Sequence, residues 1–286
     1  MDGVLVVDKP GGMTSHDVVD EVRKKLGTKR VGHAGTLDPD ATGLLILGIG
    51  RATRFLAYAQ SGPKRYLAEA RFGITTSTQD ASGEVVATSD ATVIEDHVRA
   101  ALEKFRGAIE QVPPMVSAVK VGGERLYRKA RRGEEVDRAA RSVMVYSLEL
   151  TGFDPAEQTA QLDITCSGGT YVRTLINDLG AALGTGAHMT ALRRTETGGF
   201  SLSDAVALEE AGPDALLPLT AVVRALATVQ LDDDAAADVL HGRKLPATLA
   251  ADLEEGQHAA LARGSELLAV YRRAGHELVA DRVVGS

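Results

Sequence analysis

The residues of this chain that could do chemistry gather on two glycine-flanked stretches. In RVGHAGTLDPDATGLL, His33, Asp38 and Asp40 lie among Gly32, Gly35 and Gly43. A carboxylate or imidazole displayed on an ordered loop can act as nucleophile, general base or general acid. Each also has a plain structural reading: Asp38 precedes Pro39, a common turn opener, and a loop histidine often serves only as a hydrogen-bonding group. In GGTYVRT, Tyr171 and Arg173 follow Gly168 and Gly169 at the start of an apolar, helix-spaced run. Arg173 reads either as a surface charge or as the partner of a carboxylate in a cleft, which a guanidinium would keep ionised and nucleophilic at neutral pH.

Other chemistries find less support. Cys166 is the single cysteine and the seven histidines, at 16, 33, 97, 188, 241, 258 and 276, are scattered, so no metal-ligand spacing is present. DKPGGMTS places a glycine pair ahead of a helix, where backbone amides could cradle a phosphate. It lacks the P-loop spacing and its lysine, and neither a nucleotide nor any other cofactor is expected.

The elements that must position these groups follow from hydrophobic period and punctuation. Residues 3–8 form an apolar run that Lys9-Pro10-Gly11-Gly12 brings to a stop. Thr14 or Ser15 caps a helix in which Val18, Val22 and Leu26 repeat at four-residue spacing, with Gly27 closing it. Residues 30–43 show neither period and are expected as a loop. A buried strand follows at 44–47, a short helix at 52–59, an alternating strand at 65–72, and a strand pair around Ser82-Gly83. Val98, Leu102 and Phe105 mark one face of a helix over 95–105, which Pro113-Pro114 keeps from continuing. Residues 143–153 and 159–167 read as paired strands, with Leu162, Ile164 and Cys166 on the buried side, so Cys166 is expected to be structural. A helix begins at Val172 and ends at Gly184, and from about residue 225 short strands punctuated by glycine and proline suggest a small β-rich module.

With 44% hydrophobic and 25% charged residues in 286, the composition is that of a globular protein. The N-terminus Met1-Asp2-Gly3 lacks a basic n-region and no apolar run is long enough for a bilayer, so a soluble chain in the reducing cytoplasm is expected, without a membrane partner. The net charge of −7 argues against a nucleic-acid partner when taken as an average. The charge is segregated, however: residues 120–141 hold eight basic and four acidic residues, and 196–286 hold seven basic against fifteen acidic. A local basic patch can therefore meet a polyanion while the far end keeps the chain soluble.

Taken together, these residues closely resemble the bacterial tRNA pseudouridine-55 synthases, the TruB family. The motifs that carry the resemblance are GVLVVDKPGGMTSHDVV, KRVGHAGTLDPDATGLL, ATRF, KRYLAEARFG, VPPMVSAVKVGGERLYRKARRG, CSGGTYVRTLINDLG and HMTALRR, in order over residues 3 to about 194. The resemblance implies an α+β pseudouridine synthase fold, with a mixed, largely antiparallel central sheet flanked by helices and a small β-rich C-terminal domain. The catalytic domain is expected over 1–225, with a basic insertion at about 118–142, and a reduced PUA-like domain over 226–286.

The family's roles transfer by position. The aspartate of GTLDP, Asp38, is the expected nucleophile; Tyr66 of KRY is the ring that stacks on the target base; and Arg173 is the expected ion-pair partner of Asp38. Tyr171 helps to hold the base, Leu192 of ALRR walls the uracil pocket, and His33 of GHAG enters the space left by the extruded nucleotide. Lys9 and Pro10 support the active-site loop. Lys120, Arg125, Arg128, Lys129, Arg131 and Arg132 belong to the insertion that closes over the T-arm of tRNA, so tRNA is the expected partner of a monomeric enzyme. These roles fit together physically, because a base inside a folded loop must be rotated out of its stack before an enzyme can reach it. Two competing readings stand beside this one. A non-catalytic tRNA-binding or folding module would bind without converting the base, and a carboxylate-dependent hydrolase would release free uracil or phosphate.

Overall fold

The computed structural model describes residues 1–117, 119–130 and 132–285, with the backbone alone at 120, 121, 125, 127 and 128. The chain forms two units, one from residues 1–39, 43–62 and 197–286, the other from 40–42 and 63–196.

The first unit opens with β1 (Gly3–Lys9), α1 (Ser15–Leu26), β2 (Val31–Ala34), β3 (Thr42–Ile49) and α2 (Leu56–Ala59). β1 and β3 pair antiparallel, Val4 opposite Gly48 and Val6 opposite Ile46. Both strands read as nearly continuous apolar runs because both of their faces are covered. Leu5, Val7, Leu45 and Leu47 pack with Val18, Val19 and Val22 of α1, whereas Val4, Val6, Leu44 and Ile46 pack with Phe55, Val222 and Val223. Thr14 caps α1 in a reciprocal box with Asp17, and Gly27 ends it in the left-handed conformation. The expected loop over 30–43 begins instead as a strand: Val31–Ala34 pairs with β3, His33 opposite Leu47. Four residues, one of them glycine, leave strand alternation too little to register in the sequence.

The second unit contains β4 (Lys64–Phe72), the hairpin β5 (Ile74–Thr76) and β6 (Val85–Thr88), α3 (Glu95–Leu102) and β7 (Gly107–Gln111). The basic stretch holds the short hairpin β8 (Lys120–Val121) and β9 (Glu124–Arg125), followed by α4 (Leu126–Ala130). Then come β10 (Arg141–Asp154), β11 (Thr159–Cys166), α5 (Val172–Ala182) and β12 (Ala187–Thr197). Strand order is β12-β4-β11-β10-β7. Leu162, Ile164 and Cys166 are at most 1% exposed, as their alternation predicts. In β10 the buried positions change phase between Val145 and Leu148, because a bulge inserts Tyr146 and turns it to solvent.

The chain returns to the first unit with β13 (Phe200–Ser201) and β14 (Val206–Ala207), the latter parallel to β1. β15 (Ala227–Gln230), α6 (Asp233–Leu240), β16 (Leu245–Pro246), β17 (His258–Arg263), β18 (Glu266–Ala274) and β19 (Glu277–Val283) complete it. The last five strands form their own sheet in the order β15-β17-β18-β19-β16. One cluster of this sheet joins Leu261 and Tyr271 to Ala236 and Val239 of α6. Ala260, Leu267, Val270 and Val284 join the cluster of Phe55, Leu56 and Tyr58. The Tyr58 hydroxyl donates to Asp281 at 2.5 Å, and His258 Nε2 lies 3.2 Å from the same carboxylate. The β-structure is thus mixed and largely antiparallel, with helices packed on it, an α+β fold with a β-rich C-terminal sheet. No described helix is long and apolar enough to cross a membrane.

Candidate active site

Asp38 stands on the turn between β2 and β3, flanked by Gly35 at its start and Gly43 early in β3, which adopt φ of 81° and 100° that other residues rarely take. Both neighbours of Asp38 are clamped within the first unit. Ser15 Oγ accepts from the Leu37 amide at 2.9 Å and donates to the Leu37 carbonyl at 3.2 Å. The Pro39 carbonyl accepts from the Gly12 amide at 3.0 Å and from Lys9 Nζ at 2.9 Å. Lys9 is fully buried, and its ammonium also donates to the carbonyls of Pro10 at 2.8 Å and Met13 at 2.6 Å. A buried cation is tolerated only when it is well solvated by protein groups, and three carbonyls do this here. The half-buried Asp38 is therefore displayed from a rigid frame, and the PGG segment serves as that frame. His33 lies on β2, partly buried.

The second unit assembles a different set. Tyr66, 8% exposed, lies on β4, beside β12, which carries Leu192 and Arg194 on one face two residues apart. The Arg194 guanidinium hydrogen-bonds the Tyr66 side chain, and burial depresses the guanidinium's pKa. Lys64, two residues before Tyr66, is held below the usual ammonium range by burial first and then by the Arg194 charge.

Arg173, in the first turn of α5, is 4% exposed. Its Nη1 reaches Asp80 Oδ2 at 3.1 Å and the Thr78 carbonyl at 3.2 Å, and its Nη2 reaches the Val116 carbonyl at 3.0 Å. Asp80 is itself oriented, since its other oxygen accepts from Thr78 Oγ1 at 2.6 Å and from the Ser82 amide and hydroxyl at 3.0 and 2.6 Å. Tyr171 precedes α5 as its N-cap, and the buried Gln111 fixes it by accepting from its amide at 2.7 Å and donating to its carbonyl at 3.0 Å.

The residues expected to grip RNA are less uniform. Arg132 pairs with Glu124 and Glu134, at 2.8 and 2.6 Å, so part of the local positive charge is neutralised within the segment. Lys129 lies in α4, partly buried. Arg131 lies outside the described residues, as do the side chains of Lys120, Arg125 and Arg128. Among the described residues no group of three potential metal ligands converges.

Four residues of these arrangements are not marked as site residues by the sequence. Asp80 and Gln111 carry no motif signal. Ser15 was visible only as a possible helix cap. Arg194 stood inside HMTALRR, next to the leucine that drew attention.

The model of the TruB family pseudouridylate synthase N-terminal domain matches residues 23–172, and that of the tRNA pseudouridylate synthase B C-terminal domain matches 173–213. The chain belongs to the TruB family. It is a tRNA pseudouridine synthase, an isomerase. The tRNA pseudouridine synthase B of Symbiobacterium thermophilum is 52% identical over 246 residues, 85% of this chain and 82% of the relative. That of an Arthrobacter species is 45% identical over 96% of this chain and 94% of its own. Among solved structures, a chain of a Cbf5-Nop10-Gar1 complex is similar with a TM-score of 0.78 and 28% identity, over 99% of this chain and 84% of that one. A chain from an H/ACA RNP bound to a substrate RNA containing 2'-deoxyuridine gives 0.76 and 25%, with the same coverage.

Proposed function

We propose that this TruB enzyme converts the T-loop uridine at position 55 of tRNA to pseudouridine, with Asp38 as nucleophile acting on a base rotated out of its stack. The observation that carries the proposal is the clamping of Leu37 and Pro39 on either side of Asp38, which holds one carboxylate in place on the turn between β2 and β3. Catalytic groups work when their geometry is fixed before the substrate arrives.

The reaction breaks the bond from the ribose C1' to uracil N1 and forms one from C1' to C5. The C5 proton is lost and N1 gains one, so the isomerisation balances without oxidant, reductant or co-substrate. Asp38 supplies the negative charge that the electron-poor sugar or ring requires. Arg173 supplies the cation that keeps this carboxylate ionised, and Asp80 holds the guanidinium in orientation. Tyr66 stacks on the uracil, Leu192 and Tyr171 bound its pocket, and His33 fills the vacancy in the loop. Stacking and filling offset an extrusion cost of a few kcal/mol.

In this reading residues 1–225 are catalytic, with Lys9 and Pro10 supporting the loop, and 226–286 form a reduced PUA-like domain. The basic residues of 118–142 contact the phosphates of the T-arm, and the enzyme works as a cytoplasmic monomer. The test is to incubate the protein with unmodified tRNA transcripts and map pseudouridine at nucleotide resolution. Conversion at position 55, abolished when that uridine is replaced by cytidine, is expected. Conversion at another uridine, with position 55 untouched, contradicts the site assignment.

A further inference from the structure

A fully buried guanidinium in the second unit has no part in the chemistry described so far. Arg194 is 1% exposed, in a strand position where an aliphatic side chain would cost nothing to bury. It lies on β12, the strand beside β4, and hydrogen-bonds the side chain of Tyr66. Arginine can only donate, so the phenolic oxygen is the acceptor. The phenolic oxygen lies on the axis of the Cβ–Cγ bond, so a hydrogen bond there fixes the swing of the whole ring about χ1, which is what sets where its face lies.

We propose that Arg194 is a positioning residue that acts through Tyr66, holding the phenol so that its ring meets the target uracil in one orientation. The inference rests on the reading of Tyr66 as the ring that engages the base. Lys64 belongs to the same arrangement: it shares the face of β4 that carries Tyr66 and lies within the field of Arg194. Deleting the guanidinium leaves the ring on β4 but frees the swing of its far end.

A double-mutant cycle separates this role from a merely structural one, which would add independently of the hydroxyl. Arg194→Met is expected to lower kcat about a hundredfold, the loss typical of a charged hydrogen bond, with KM for tRNA changed less than about threefold. In a Tyr66→Phe background the same substitution is expected to cost less than about threefold more, since the hydroxyl it acts on is gone. Arg194→Lys should recover part of the rate in the wild-type background and none in Tyr66→Phe. Losses that multiply in full overturn the proposal while leaving Tyr66 in its role. Full activity of Tyr66→Phe instead overturns the role of the hydroxyl itself. Thermal unfolding accompanies each variant, and if Arg194→Met does not fold, Arg194→Lys carries the same cycle with the same two outcomes.

Discussion

Arg173 Nη1 and Asp80 Oδ2 lie 3.1 Å apart, with the guanidinium 4% exposed and the carboxylate side chain 16%. The ion pair is nearly out of solvent, and the second carboxylate oxygen is occupied by Thr78 and Ser82. Removing the charge of Asp80 therefore disturbs the direction in which Arg173 points more than the packing around it. Asp80→Asn is expected to lower kcat by roughly ten- to a hundredfold, the range of a charge-assisted hydrogen bond, with the affinity for tRNA nearly unchanged. Single-turnover kinetics and a binding titration read the two quantities separately, and an equal loss in both contradicts the orienting role.

Lys9 joins three carbonyls from two loops, so its removal leaves buried acceptors without their donor. Lys9→Met should destabilise the protein by about 3 kcal/mol or more, as buried polar groups left unsatisfied do. At roughly 2–4 °C per kcal/mol for a domain of this size, the melting temperature falls by about 6–12 °C. A melting temperature within 2 °C of wild type, measured by calorimetry, would show that the frame does not depend on this ammonium.

Tyr58 ties α2 to β19 through Asp281, and its pKa is raised by burial first and then by the Asp281 carboxylate. A raised value means the folded state prefers the neutral phenol. The contribution is therefore complete below the unfolded tyrosine value of about 10 and is lost as pH rises through the folded value. Tyr58→Phe is expected to cost about 1–2 kcal/mol at pH 8, since Asp281 is partly exposed. Unfolding titrations from pH 8 to 11 should show that gap shrinking above pH 10, and a gap that widens instead contradicts the assignment.

Cys166 is fully buried, and burial pushes its thiol up to about 11. Only the thiolate reacts, so alkylation of the folded protein by iodoacetamide at pH 8 should be slower than that of the unfolded chain by at least about a hundredfold. Mass spectrometry of both reads this directly.

The sequence made the outlines of the fold visible wherever one face of an element alternates. β11 shows its buried Leu162, Ile164 and Cys166, and α1 shows its caps at Thr14 and Gly27. β2 stayed hidden because its hydrogen bonds to β3 are long-range and its four residues hold too few side chains to alternate. Asp38 and Arg173 could be named because each sits in a motif. Asp80 and Gln111 could not, because their importance lies in what they touch: Arg173 is 93 residues from Asp80, and Tyr171 is 60 from Gln111. A polar residue that orients another leaves no local pattern, only a distance. Arg194 is the intermediate case, inside a motif but distinguished from Arg193 only by its burial, which the irregular pattern of β12 does not announce.

The carboxylate of Asp38 is the centre of the account, and Asp38→Asn changes its charge while keeping its size and the clamps on Leu37 and Pro39. Pseudouridine formed from an unmodified tRNA transcript, measured at single turnover with enzyme in excess, tests it most directly. The account predicts a loss of at least about 10⁴-fold with tRNA binding retained, as expected when a nucleophile is removed from a preorganised site. Turnover within tenfold of wild type would contradict it.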